Sequence, residues 1–300
     1  MFEFFQWLSS TATTIFVLTS MFNVGLTQNP KKIVQHLSNW QYLTRMVVAN
    51  LFVVPAVMLL FITIFEIDGP YAIALTIFAC AAGAPLLIKL TQQSDNDISA
   101  GATIQMVLMV ATVFILPFYL SLLLEGVEVG IWDIAKPLLL QMILPLVIGM
   151  ILHQVAEKFA GVIQPWIAKI SNIALYTLLG ATIIGYLPQL ADWQLWKAIA
   201  VGMVALLLTF YIGYGTGHGN ETRSQLGALG TAQRNTAASM ITAGSFTDPM
   251  VFVTIAMLNT LMMFVLLGLA TRLGNDAKIA FLEPLEADMP GDAKRPYANA

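Results

Sequence analysis

The sequence predicts an all-α integral membrane protein of about nine transmembrane helices. Of its 300 residues 58% are hydrophobic and only 10% charged, against about 25% charged in soluble domains, and the mean hydropathy is +0.77. Its apolar stretches are long enough to cross a ~30 Å hydrocarbon core as helices of about 20 residues. The runs are continuous and Ala/Leu/Met-rich, whereas an outer-membrane barrel shows alternating segments of about ten residues. This composition excludes most enzymes of soluble metabolism. Lys+Arg 14 against Asp+Glu 17 gives a net charge of -3, with no basic block to neutralise phosphates, so a nucleic-acid binder is excluded as well.

In chain order the apolar segments are 5–27, 42–65, 70–91, 97–124, 134–153, 168–190, 195–216, 223–244 and 249–271. The third carries Gly83, Pro85 and Lys89, and the eighth carries Gly227, Gly230, Gln233, Arg234 and Asn235. Neither suits a continuous lipid-facing helix, because Gly and Pro interrupt it and polar groups are costly in hydrocarbon. Residues 273–300 mix Pro, Ala and charge without helical periodicity, which predicts a partly disordered cytoplasmic tail.

Orientation follows from the cations, which short cytoplasmic loops retain. Lys31, Lys32, Lys158, Lys169, Arg223, Arg272, Lys278, Lys294 and Arg295 fall on alternate connections. Glu66, Asp68, Glu125, Glu128, Asp133, Asp192 and Asp248 fall on the others. The N-terminus is therefore expected outside and the C-terminus inside, consistent with an odd number of spans. MFEFFQWLSS lacks a positive n-region and an A-x-A site, so it reads as the lead-in to the first span. The short loops and the lack of an Arg/Ser-rich leader favour a bacterial inner membrane.

An ionisable group in hydrocarbon costs about 2.5–3.5 kcal/mol on insertion scales, so it is kept where it faces protein, water or substrate. Arg234 lies 11 residues past Arg223, roughly 16 Å into the span at 1.5 Å per residue. Every carboxylate falls in loops, tails or span ends. The guanidinium must therefore find an anionic substrate, or backbone carbonyls freed where a helix is broken; a hydrogen-bonded staple between helices is the structural alternative. Lys89 is closer to a span end, where a snorkelling lysine needs no special role. Gln233, Asn235, Thr236, Ser239, Gln105 and Asn259 supply amides and hydroxyls at mid-depth. Singly such groups are ordinary interhelical glue, but the run Gln233–Arg234–Asn235 predicts a polar cavity. Cys80 reads as a small packed residue, and His36, His153 and His218 as interface groups without metal-ligand spacing. With no catalytic or nucleotide fingerprint, an enzyme is not expected.

The stretches MFNVGLT (21–27), CAAGAPLLIKLTQQSDNDIS (80–99) and GTAQRNTAASMITAG (230–244) resemble the bile acid:sodium symporter family. The resemblance implies inverted repeats of five helices, with two discontinuous helices crossing at the midplane and the first helix of repeat one absent here. It implies a core of spans 70–124 and 223–271, a panel of spans 5–65 and 134–216, and a transporter domain over 1–272. The family pattern places a Ser-Asn pair in the first crossing helix, and a Glu followed four residues later by Gln in the second, as sodium ligands. Here those positions read Pro85 and Leu86 (or one residue later), Gly230 and Arg234, while Ser99 and Thr103 are retained as doubtful ion ligands.

The expected function is alternating-access transport of a small organic anion. Arg234, and in second place Lys89, would supply in covalent form the charge that sodium supplies in relatives. The substrate set is Arg234, Asn235, Gln233, Lys89, Thr236, Gln105 and Asn259. No cofactor is expected, sodium is doubted, and the lipid bilayer and the substrate are the expected partners. A sodium- or proton-coupled symporter and a non-transporting receptor or scaffold of the same fold are the alternatives. The sequence leaves the oligomeric state open.

Overall fold

A computed structural model describes residues 2–28, 35–123 and 130–287, with side chains as far as Asn275. Lys31, Lys32, Glu125, Glu128, Lys294 and Arg295, used above for orientation, lie outside the described residues. The described chain is helical, with no strand. Its elements are α1 (Phe2–Thr27), α2 (Trp40–Ile64), α3 (Gly69–Cys80), α4 (Leu86–Gln93), α5 (Ile98–Leu123) and α6 (Ile131–Val155). They continue as α7 (Glu157–Gly185), α8 (Trp193–Gly215), α9 (Glu221–Ala232), α10 (Thr236–Ala243) and α11 (Pro249–Ala287). Among the described residues six of these, α2, α5, α6, α7, α8 and the Pro249–Asn275 part of α11, are long and apolar enough to cross a membrane.

Both suspect segments are broken. The first parts into α3 and α4 across Ala81–Pro85. Pro85 has no N–H to offer the helix and disfavours helical geometry at Ala84. Gly83 turns with φ +78°, and a Cβ there would lie 2.2 Å from the backbone N of Met109, so glycine alone fits this turn. The second parts into α9 and α10 across Gln233–Asn235, with neither Gly nor Pro at the break. Asn235 holds this opening. Its side-chain oxygen caps α10 by accepting from Ala238 N–H (3.1 Å), while its own N–H donates to Ala81 O (2.9 Å).

Of the spans expected to form the panel, 5–65 and 134–216, α1, α6 and α7 pack as one group, while α2 and α8 pack with the broken helices, α5 and α11. Small residues explain the first group: a Cβ on Gly25 of α1 would sit 2.2 Å from Leu146 O of α6, and one on Gly149 of α6 2.6 Å from Phe22 O of α1. Side-chain bonds fix α1 to α7, Ser9 to Thr182 at 2.7 Å and Gln164 to Asn23 at 2.9 Å. α11 runs on to Ala287, into the expected tail; Ala, Leu, Lys and Glu dominate 276–287 and favour a helix, although Pro284 stands within it. In α7 the helix begins at Glu157 rather than near 168, because Phe159, Val162, Ile163, Trp166 and Ile167 carry an apolar helix through the charges at Lys158 and Lys169.

Candidate functional site

Where α3 and α9 stop, each leaves carbonyls without an intrahelical donor. Arg234, fully buried, fills that gap. Its Nε donates to Phe78 O (3.3 Å) and one terminal nitrogen donates to Asn50 Oδ1 (2.7 Å) and Thr231 O (3.3 Å). The other donates to Asn50 O (3.3 Å) and to Ala79 O. A guanidinium has five N–H donors, and each has a protein acceptor here. Two helix C-termini carry roughly half a negative charge apiece, so one guanidinium matches their sum.

Asn50 is the residue that sequence reasoning missed. It sits in a π-turn of α2, Ala49–Val53, where Val54 N–H reaches back to Ala49 O. The next donor in that register would be Pro55, which has none, so the Asn50 carbonyl is left for Arg234. The Asn50 amide nitrogen donates to Met46 O (3.0 Å) and Thr231 Oγ1 (3.2 Å). Its signal was legible as a lone amide in an apolar run, five residues before a proline.

On the other side of the breaks lies a cavity of about 350 Å³ between α1, α7, one side of α4 and the first turn of α10. Its wall includes Pro85 from the first break, Leu86, Lys89 and Gln92 from α4, Thr236 and Ala237 from α10, Gln233 from the second break, and Asn259 from α11. The panel contributes Ser20, Asn23, Gln164 and Asn172, none of which was singled out beforehand, although Asn23 lies within MFNVGLT. Here both half-helices begin, at the positive end of their dipoles, although Leu87 and Ile88 N–H already donate to Ala84 O and Pro85 O, and Ala238 N–H to Asn235 Oδ1. Lys89 is exposed at this wall. Thr236 donates its hydroxyl to Asn259 Oδ1.

Of the expected substrate set, the structure gathers Lys89, Gln233, Thr236 and Asn259 on the cavity wall and leaves Arg234, Asn235 and Gln105 off it. Arg234, expected to meet the substrate, has its donors occupied by protein acceptors and its surface closed. Asn235 ties the two breaks together, donating from Nδ2 to Ala82 O (3.2 Å) and Gly83 O (3.0 Å). Gln105 is buried in α5, and neither of its amide atoms is hydrogen-bonded to a described residue. Ser99 and Thr103 are joined within α5, Thr103 Oγ1 donating to Ser99 O at 2.9 Å, and neither lines the cavity. Around Gly230 the space is apolar: a Cβ there would meet Leu87 at 3.2 Å and Met46 at 3.3 Å.

A second cavity, about 340 Å³, lies at the other end of α1, lined by Gln6, Ser9 and Thr13 of α1, Met240 and Ala243 of α10, and Asp248. One short helix, α10, thus has its first turn in one cavity and its last turn in the other.

Apolar helices around a crossing of two interrupted ones define an all-helical integral membrane protein. Residues 14–193 match the Sodium Bile acid symporter family, and the chain belongs to that family. The match stops before α9, so the second break and Arg234 fall outside it. The family is one of membrane transporters rather than enzymes. Among curated proteins none is significantly similar to the chain.

Proposed function

We propose that the protein is a secondary transporter of a small organic anion, working by alternating access, in which Arg234 takes the structural place of a coupling cation. The observation that carries this is the guanidinium bonded to Phe78 O and Ala79 O of α3, Thr231 O of α9, and Asn50. Half-helix C-termini coordinate cations in secondary transporters, while half-helix N-termini face anionic substrate groups. Here the C-termini have a covalent cation, and the N-termini border a cavity whose wall, among the described residues, has one lysine and no carboxylate. The apolar contacts at Gly230 and the residues Pro85 and Leu86 leave no carboxylate or amide where the family pattern has sodium ligands. Cavities at both ends of α10 support alternating access, with α1, α6 and α7 moving against the rest. In this reading α1 and the two broken pairs complete nine crossings, N-terminus outside, in a bacterial inner membrane.

The test is uptake of labelled short carboxylates into proteoliposomes with sodium or choline as the external cation. Uptake equal in the two media, and lost in Arg234→Ala, is expected. Strict sodium dependence would favour the coupled symporter, which the family's own description supports. Equal uptake by wild type and Arg234→Ala would remove the role given to the arginine.

A further inference from the structure

The second cavity, beside the last turn of α10, differs in sign from the first. Among the described residues its one charged lining residue is Asp248, which is exposed and so open to a solute. Asp248 Oδ1 accepts the Met250 N–H at 2.8 Å at the start of α11, and Oδ2 has no donor among the described residues. No described Lys, Arg or His pairs with this carboxylate; Lys136 of α6 lines a separate groove with Trp132 and Asp133. The last turn of α10 adds the negative end of its dipole. Ser10 and Gln141 supply a hydroxyl and an amide to the same wall, and Tyr186, Phe246 and Phe252 supply rings. A carboxylate beside a helix C-terminus calls for a positive charge, and the rings call for an apolar body.

We propose that this cavity is a binding site for a small primary alkylammonium ion, whose N–H groups donate to Asp248 Oδ2 and the side-chain oxygens beside it and whose chain lies against the rings. The site does not depend on the anion-transport reading, which concerns the other end of α10. An anion here would meet both Asp248 and the negative end of the helix. A neutral alcohol can donate one hydrogen bond but brings no charge, and hydrogen bonds between charged partners are the stronger ones. A quaternary ammonium such as choline has its charge wrapped in methyl groups, so it covers the carboxylate without returning an N–H donor. At about 340 Å³ the space is at the small end of ligand pockets, which suits a short chain.

The experiment measures binding of propylammonium, 1-propanol and choline to the purified full-length protein in nanodiscs, by calorimetry at pH 7 against empty nanodiscs. Propylammonium is expected to bind about fivefold or more tightly than either of the others. In Asp248→Asn, which keeps an oxygen to accept the Met250 N–H, that preference is expected to shrink to about twofold or less. Asp133→Asn, altering a carboxylate that lines the neighbouring groove, is expected to leave it unchanged. The wild-type comparison stands even where a variant fails to fold. Choline or 1-propanol binding as tightly as propylammonium overturns the proposal, and so does an undiminished preference in Asp248→Asn. An equal loss in both variants overturns it in favour of diffuse surface charge. No binding of propylammonium overturns it outright.

Discussion

A buried arginine without a carboxylate partner is tolerated only if its surroundings supply the missing negative potential. Arg234 obtains it from carbonyls of two helix ends and from Asn50. Arg234→Ala removes one charge and leaves four carbonyls and an amide oxygen unpaired, so a loss of about 3–5 kcal/mol is expected, by analogy with breaking a buried ion pair. The thermal midpoint of the purified variant reads it. Arg234→Lys keeps the charge with three donors in place of five and should recover only part of the midpoint. Asn50→Leu should cost about 1–3 kcal/mol, because it strands the Arg234 donor and Thr231 Oγ1. Lys89 is exposed, and in the proposed transporter it would only attract the anion: Lys89→Gln should raise KM about fivefold or less without moving the midpoint. The arginine itself was legible from its depth and the lack of carboxylates. Its acceptors were not, since Asn50 lies 184 positions away and one sequence records no such pairing.

At the scale of elements, the breaks in the two crossing helices differ in cause. In the first, Gly83 and Pro85 dictate the opening locally, which is why sequence alone marked it. Gly83→Ala would force a Cβ to 2.2 Å from Met109 N at φ +78°, and a loss of at least about 1–3 kcal/mol is expected for the backbone conformation alone, measured by thermal or denaturant unfolding. In the second, Gln233–Asn235 has no intrinsic breaker, and the opening is held by bonds to Ala81, Ala82 and Gly83. Only its polar run signalled it. The π-turn of α2 was not legible, because a proline signals a lost donor but not which carbonyl is left over. Pro55→Ala restores an N–H to compete for the Asn50 carbonyl, so a weakened Arg234 contact and a drop of about 1 kcal/mol are expected.

For the whole molecule, composition and run length were enough to give the class, an all-helical membrane protein, because hydrocarbon thickness fixes how long an apolar run must be. The family resemblance implied that α2 and α8 belong to the panel, and both pack beside the broken helices; run length cannot tell which face of an apolar helix meets protein and which meets lipid. The polar stripe of α1, from Gln6 and Ser9 to Asn23 and Thr27, could have been seen, and it lines a cavity at each end.

If a guanidinium already occupies the carbonyl cluster, sodium has no seat there, and that is open to measurement without knowing the substrate. Purified wild-type protein is heated in matched sodium and choline chloride across a concentration series, since a ligand that binds only the folded state raises the midpoint with its concentration. Superimposable midpoints in the two salts are expected. A saturable rise specific to sodium would contradict a built-in cation at the crossing.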